Sequence, residues 1–411
     1  MKKLLGIINY KNEELFIFQE NGTVSILNAK NYVKPKNYTL IKNRNLIIGN
    51  SKINGETVFN FRYGPVTGGV AEAGIYNIHT SGERILSVEI DVTFKRRNIE
   101  NKMINKNLSE ALNMAESVCG NFAFSHSLAF CKAVENIFNI KISESHRLLR
   151  VVALELERLY NHIYVITELA KGAAQKVLTS HLQYLFEECL RINELFSGSR
   201  HLLSFNRIGG VKNSFEKTKI EKILIKLNEI EKRFSLLYKK SLESGNYLDR
   251  LHNTGIVSTN MAIEIGLTGP SLRASGVRED LREFDNYYNS IDIPVKEEGD
   301  SLSRMEVRAE EIFISINLIK ECLEKILNLK VEKDIPQFNI ENGKGYGAVE
   351  SPSGTLCYFL SIINGKIDFS YIVTPSLFGF KAIADSLVNQ IFTDFVFTVE
   401  SFGVNFADAA R

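Results

Sequence analysis

No Cys-x-x-Cys pair occurs in the 411 residues, although the chain has five cysteines, at 119, 131, 189, 322 and 357. An odd number of scattered thiols excludes a disulfide framework and reads as reduced cytosolic cysteine. The chain also lacks an apolar run of the roughly 18–20 residues needed to cross a bilayer. Any membrane association must therefore come through other subunits. Residues 1–9 carry a short apolar stretch that soon meets Lys11, Glu13 and Glu14 with no small-residue cleavage site, which argues for a first strand and against a signal peptide. Neither sign of charge dominates: 50 Lys and Arg stand against 48 Asp and Glu, a formal net charge of +2. That balance gives no footing for nucleic acid or a polybasic membrane anchor. Internal repeats and low-complexity tracts are absent as well.

What is present is a globular composition, 44% hydrophobic, and a length that suggests two or three structural regions at roughly 150 residues each. The early part has strand character. Leu15-Phe16-Ile17-Phe18 and Val24-Ser25-Ile26-Leu27 flank Asn21-Gly22, whose tolerance of positive φ suits a tight hairpin turn. Leu86, Val88, Ile90, Val92 and Phe94 alternate with polar residues as a half-buried strand should, and residues 79–83 form the turn before them. From about residue 107 the period becomes helical. Leu149, Val152, Leu156, Leu159, Tyr160 and Ile163 form one stripe; Ile220, Ile223, Leu227, Ile230, Phe234 and Leu237 form another, the seam of two helices packed nearly antiparallel. Glu221, Lys222, Lys226, Glu229, Glu231 and Lys232 decorate the second helix as a solvated face. After Pro336 two strands return, at 356–363 and 367–373, joined by Asn364-Gly365, and a helix follows with Ser376 as its N-cap.

The predicted fold class is α+β: a large central helical bundle flanked by an N-terminal antiparallel β region and a small C-terminal mixed α/β region. The expected spans are 1–58 for the N-terminal β region and 59–106 for a β hairpin with an access loop. The bundle takes 107–330, and 331–411 forms the C-terminal region closing a cavity.

The motifs carry a resemblance. Residues 116–127, Glu-Ser-Val-Cys-Gly-Asn-Phe-Ala-Phe-Ser-His-Ser, resemble the first cysteine motif of nickel–iron hydrogenase large subunits, with Phe122 where the second cysteine would stand. Residues 401–411, Ser-Phe-Gly-Val-Asn-Phe-Ala-Asp-Ala-Ala-Arg, fall in register with that family's closing motif, with Asn405 and Asp408 at its two cysteine positions. Residues 64–73, Gly-Pro-Val-Thr-Gly-Gly-Val-Ala-Glu-Ala, resemble the access-loop motif of membrane-bound, energy-converting hydrogenases. Leu154-Glu155-Leu156-Glu157-Arg158 through His162 looks like their central helix. Residues 269–282, from Gly-Pro-Ser-Leu-Arg-Ala-Ser-Gly-Val to Asp280-Leu281-Arg282, are similar to a segment shared with the quinone-reducing large subunit of respiratory complex I, and Gly299-Asp300 through Arg308-Ala309-Glu310-Glu311 continue the match. The family resembled is that of hydrogenase-4 and formate hydrogenlyase type large subunits and of the homologous large subunits of complex I.

Chemically, the departures from that family point one way. A soft four-thiolate site has become one thiol, one ring, one amide and one carboxylate, so thiolate selection of nickel is not expected, and no metal is assigned to this chain. An arginine that in the family reaches over the metal is Ser353 here, and the arginine before the first cysteine is Ser117. The complex I relative has His-Gly-Val where this chain has Gly68-Gly69-Val70, and a tyrosine expected near the first cysteine is absent, since 119–126 contains Phe122 and Phe124 only. Quinone or another organic carrier would need a different pocket.

The resemblance implies a candidate cavity lined by Gly68, Glu72, Cys119, Phe122, Ser353, Asn405 and Asp408. It implies an iron–sulfur small subunit docked against that cavity, integral membrane ion-translocating subunits, and a peripheral place on the cytoplasmic side of the cell membrane. Two functions follow as alternatives: a redox-driven pump whose cavity accepts an organic carrier, or a structural coupling scaffold without a substrate. A cavity wide enough for a ring would favour the first, and side chains filling it the second. Glu72, Glu155, Arg158 and His162 are candidates for a proton relay; the last three, at i, i+3 and i+7, equally suit a structural ion-pair network. His126 reads as a satisfied structural histidine, Cys119 as a small buried residue. Gly343-Lys344-Gly345-Tyr346-Gly347 lacks a phosphate-binding fingerprint and is expected to be a flexible loop. In hydrogenases a C-terminal extension is cut off after metal insertion; this chain stops at Arg411, so the expectation is a tail that folds at once as a final strand, with Phe397, Val399 and Phe402 buried and Asp408 paired with Arg411 or another cation.

Overall fold

The computed structural model describes residues 2–11, 13–29, 46–49, 53, 55–66, 72–212, 217–285, 288, 291–329, 336, 338–339 and 341–411. Three strands open the chain, β1 (Lys2–Tyr10), β2 (Glu13–Glu20) and β3 (Thr23–Asn28), in an antiparallel sheet of that order. Its second turn is Asn21-Gly22, both at positive φ, as the hairpin reading requires. A second antiparallel sheet follows in the order β4-β7-β6-β5, from β4 (Ile47–Gly49), β5 (Phe59–Tyr63), β6 (Ile75–Ser81) and β7 (Arg84–Asp91). The register shifts between His79 and Thr80, leaving Leu86 without a cross-strand partner. The bulge changes the phase: Ile85, Val88, Ile90 and Val92 are buried, whereas Leu86 is only half-buried and Phe94 lies exposed beyond the strand.

The bundle comprises α1 (Leu108–Glu116), α2 (Ala123–Phe138), α3 (Glu144–Gly172), α4 (Lys176–Ser197), α5 (Lys217–Leu242) and α6 (Ser301–Leu327), with shorter helical turns between them. Asn107 and Glu110 form a capping box at the start of α1, and Asp300 caps α6 through the Ser303 amide. The helix α3 packs along α6 and is sheathed on its other sides by α2 and α4. It is therefore buried on nearly every side from Ser145 to Ala170, with Arg147 and Tyr164 partly exposed, and the buried residues include Arg150, Glu155, Glu157, Arg158 and His162. The apolar stripe read from the sequence marks only part of what α3 buries. By contrast α5 keeps a solvated face, with Ile220, Ile223, Leu227, Ile230 and Phe234 turned into the core.

The C-terminal region is a three-stranded antiparallel sheet, β8 (Gly343–Ser351), β9 (Gly354–Ile363) and β10 (Lys366–Val373), followed by α7 (Pro375–Ser386), α8 (Phe395–Ser401) and α9 (Phe406–Ala410). Two expectations fail here. The Gly343-to-Gly347 segment is no flexible loop: it is the start of β8, and its alternate glycines face α2. A Cβ on Gly347 would lie 2.3 Å from the Ala133 amide and 2.4 Å from the Ala129 carbonyl, so the missing side chains let a helix lie directly on a strand. The final segment is helical and not a strand, although Phe397, Val399 and Phe402 are buried as expected. Mixed α+β architecture, with antiparallel sheets around a helical core, is what the sequence led one to expect.

Candidate functional site

Five of the six described cavity candidates, Glu72, Cys119, Ser353, Asn405 and Asp408, lie in or against residues 403–408; Gly68 lies outside the described residues. Cys119 and Phe122 sit in the short turn before α2, each at most 2% exposed. Burial, then the nearby carboxylates of Asp408 and Glu72, push the Cys119 thiol well above its ordinary value, so it stays protonated. The Ser353 hydroxyl donates to the Gly403 carbonyl. The Asn405 amide N–H donates to Ser376 Oγ at 3.1 Å, and its Oδ1 accepts from Asn121 Nδ2 at 2.9 Å. Asn121 is held in turn through its carbonyl, which accepts from Tyr160 and Asn161, each at 2.8 Å.

Asp408 is paired, but not with Arg411. Its Oδ1 lies 3.0 Å from His126 Nε2 and its Oδ2 accepts from the Ser376 amide at 3.3 Å. Arg411 instead donates to the Ile372 carbonyl at 2.7 Å. The reason is geometric: Asp408 lies within α9 and points to α2 and α7, whereas Arg411 follows the helix with its backbone at a φ of 58° and carries its buried guanidinium to β10. Ser376 is accordingly not the N-cap of α7, a place taken by Thr374; it clamps the tail from the first turn with both its amide and its hydroxyl. His126 completes a buried chain by bonding Tyr358 Oη through Nδ1 at 2.8 Å. Sequence reasoning missed Tyr358, because an aromatic on an apolar strand carries no local signal of a polar partner.

Glu72 accepts the Phe406 N–H at the start of α9. Burial raises its carboxyl above the ordinary value, against the opposing pull of that N–H and of Lys95. Beside it is a cavity of about 30 Å³, lined by Glu72, Tyr76, Asn161, Tyr164, Asn405 and Phe406 among others. Since one water needs roughly 10–15 Å³ by this measure, it holds about two waters and no ring. A much larger cleft of about 730 Å³ lies elsewhere, between β3, α2, α3 and β8, with Lys132, Arg282, Tyr288, Tyr346 and Glu350 in its walls.

The remaining relay candidates belong to the interior of the bundle. Arg158 Nε donates to Glu155 Oε2 at 3.1 Å, and the same carboxylate accepts from Ser315, Tyr288 and Arg282. His162 is not hydrogen-bonded to Arg158. Its Nε2 is 2.6 Å from Glu311 Oε2 and its Nδ1 accepts from Arg308 at 3.1 Å. A guanidinium can only donate, so the imidazole proton is fixed on Nε2, facing Glu311. Burial, helped by Arg308 and Arg158, lowers His162 to about 3 and keeps it neutral. Glu311 also accepts from Arg273 and Arg282, which overcome burial and hold it well below the ordinary carboxylate range. Glu350 is the exception, since burial and the neighbouring Asp280 push it to about 7 despite an Arg273 contact at 3.1 Å.

Two negative findings frame the chemistry. Among the described residues no group of three or more His, Cys, Asp and Glu side chains is placed to hold a metal ion. No described helix is long and apolar enough to cross a membrane.

Comparison with known proteins agrees with the motifs. Residues 178–411 match the family described as the respiratory-chain NADH dehydrogenase 49 kDa subunit. The chain is 28% identical over 324 residues to the membrane-bound hydrogenase alpha subunit of Pyrococcus furiosus, covering 74% of this chain and 75% of that one. It is 28% identical over 376 residues to an NADH-quinone oxidoreductase subunit of Salinibacter ruber, covering 82% and 81%. To an F(420)H(2) dehydrogenase subunit of Methanosarcina mazei it is 25% identical over 295 residues, covering 69% and 79%.

Proposed function

This chain belongs to the respiratory-chain NADH dehydrogenase 49 kDa subunit family, and we propose that it serves as the large subunit of a membrane-bound, hydrogenase-related redox complex from which nickel–iron chemistry has been lost. The observation that carries the reading is the state of the four positions where hydrogenases have cysteines. Cys119 is a neutral buried thiol, Phe122 offers only a ring, Asn405 is bonded to Asn121 and Ser376, and Asp408 is committed to His126 and the Ser376 amide. Hard oxygen donors already engaged within the protein cannot replace soft thiolates. This donor set does not fit nickel, and no step is routed through that metal.

Names of relatives that include membrane-bound hydrogenase and quinone oxidoreductase subunits support the rest of the reading. An iron–sulfur subunit docks at the 119–122 turn, integral membrane subunits translocate ions, and the chain sits peripherally on the cytoplasmic side of the membrane. Of the two roles, the scaffold is favoured by one observation: the cavity beside Glu72 has room for water and not for a quinone ring. Purification of the native complex tests both. Elemental analysis should find no stoichiometric nickel, and iron only with a co-purifying small subunit; about one nickel per chain overturns the loss of the metal, and a chain leaving its membrane as a stable monomer overturns the partners.

A further inference from the structure

The cleft of about 730 Å³ shares no lining residue with the pocket under the tail, and its size is that of a small-molecule site, roughly 300–1,000 Å³. Cross-braces hold it open. Arg150 of α3 forks onto Glu135 of α2 at 2.9 and 2.6 Å, and Lys132 of α2 reaches Asp285 at 2.7 Å, which fixes both helices and the segment after residue 280 around the opening. The turn between β2 and β3 borders it. There Phe284 lies on Gly22, where an added Cβ would come within 2.1 Å of the ring, and Tyr346 Oη donates to the Val24 carbonyl at 2.9 Å. Collapse of the walls would break these contacts, so the space is preformed.

The lining selects the occupant. Leu128, Val151, Leu154 and Val349 give the cleft an apolar side. Arg282 and Glu350 also line it, but their charges are met from within the bundle, by Asp280 and Glu155 for the first and by Arg273 for the second. That leaves Lys132, Lys141, Arg147 and Arg150 against Glu135 and Asp285, four cations to two carboxylates among the described lining residues. Apolar walls beside an excess of positive charge favour an anion over a neutral ring or a cation. We propose that this cleft binds a small organic anion, an aromatic or aliphatic body carrying a carboxylate, sulfonate or phosphate group. The body lies against Leu128, Val151 and Leu154, and the acidic group is turned to Lys141 and Arg147 at the start of α3. The site stands apart from the redox reading of the chain, since it needs only the cleft and its charges.

Anilinonaphthalene sulfonate and phenylnaphthylamine share one ring body and differ by the sulfonate, so fluorescence titration of the full chain with each isolates the charge. The sulfonate should saturate a single site, and the neutral amine should bind more weakly, by about tenfold or more. Lys141 is exposed, and Lys141→Glu reverses its charge without touching the core. That variant should weaken the sulfonate on the order of tenfold, leave the amine unchanged and keep the melting temperature of the chain. Arg147→Gln should act in the same direction and by less. Equal binding of the two probes, or sulfonate binding that both variants leave unchanged, overturns the anion site. A crystal structure with the sulfonate seated elsewhere does the same. Loss of a neighbouring subunit from the native complex in Lys141→Glu, with the sulfonate affinity of the isolated chain unchanged, would make the cleft a subunit contact and overturn the ligand site as well.

Discussion

Most of the carboxylates buried between α3 and α6 are paired, with Arg158, Arg273 and Arg282 against Glu155, Asp280, Glu311 and Glu350, while in the pocket under the C-terminal tail no guanidinium among the described residues is hydrogen-bonded to Glu72 or Asp408. In the first region opposite charges fix one another. Glu155 and Glu311 are held low against burial because their arginine partners outweigh it. In the second, carboxylates are met by backbone N–H groups and a histidine, and burial raises Glu72. Apart from Glu350, pushed to about 7, the first region is built to hold its protonation state, while the second leaves Glu72 nearer to changing it. The two meet at Arg308, which donates to His162 in the network and to the Phe402 carbonyl at the root of the tail.

Breaking the matched region should have the largest effect. Arg282 binds Asp280 through three nitrogens and reaches Glu155 and Glu311. Arg282→Met leaves those carboxylates buried without their shared cation, and the expected loss is about 3–5 kcal/mol, enough to prevent folding of a marginal chain. Urea unfolding of the variant measures it; a loss under about 1 kcal/mol would mean that water or rearrangement already screens the network. Asp408→Ala comes next. It removes the acceptor for His126 and for the Ser376 amide but strands no like charges, so about 1–3 kcal/mol is expected. Complex yield and melting temperature of Asp408→Ala, beside a chain truncated after Ser401, check whether the tail is an anchor; unchanged assembly in both would show it is dispensable.

Acidity separates the regions by sign. A carboxylate held low in the folded state, such as Glu311, adds stability that is present above the ordinary value of 4.5 and lost as pH falls through its folded value. Glu72, raised when folded, does the reverse: its contribution is full below 4.5 and lost as pH rises through its folded value. Glu72→Gln keeps an oxygen for the Phe406 N–H and should lie within about 1 kcal/mol of wild type, with its melting temperature falling less between mildly acidic and neutral pH. A variant whose pH profile overlays the wild type would show that Glu72 does not titrate in that window.

Much of this could be read from the chain before it folded. Local chemistry was enough for the Asn21-Gly22 and Asn364-Gly365 hairpins, where adjacent residues take positive φ, and for the apolar seam of α5. It was not enough for β8, because glycines spaced two apart look like a loop until a helix is laid across them. The motif match singled out Glu72, Cys119, Ser353, Asn405 and Asp408, which lie in or against the tail although they come from four separate segments, and no periodicity would have grouped them. Their partners stayed hidden: His126, Tyr358 and Ser376 bond across 29 to 282 residues of sequence, and distances of that kind are fixed by tertiary packing alone.

The smallest effect is expected at Gly120, and it bears on the partner surface. The fold makes no demand for glycine there: its φ is not positive, the residue is exposed, and an added Cβ would meet nothing within 4 Å. Gly120→Ala should therefore leave the stability of the chain within about 0.5 kcal/mol, or raise it slightly by narrowing the unfolded ensemble. The same turn carries Asn121, which ties it to the tail through Asn405, so a partner seated on it would feel any side chain that projects outward. Gly120→Arg places a long charged side chain in that open space without touching the core. If the iron–sulfur subunit docks on the 119–122 turn, the Ala variant should co-purify with it nearly as wild type and the Arg variant should lose it, at equal melting temperature of the isolated chain. Equal recovery of the small subunit with both variants would place the docking surface elsewhere, and the pocket would then be shielded from electrons as well as from rings.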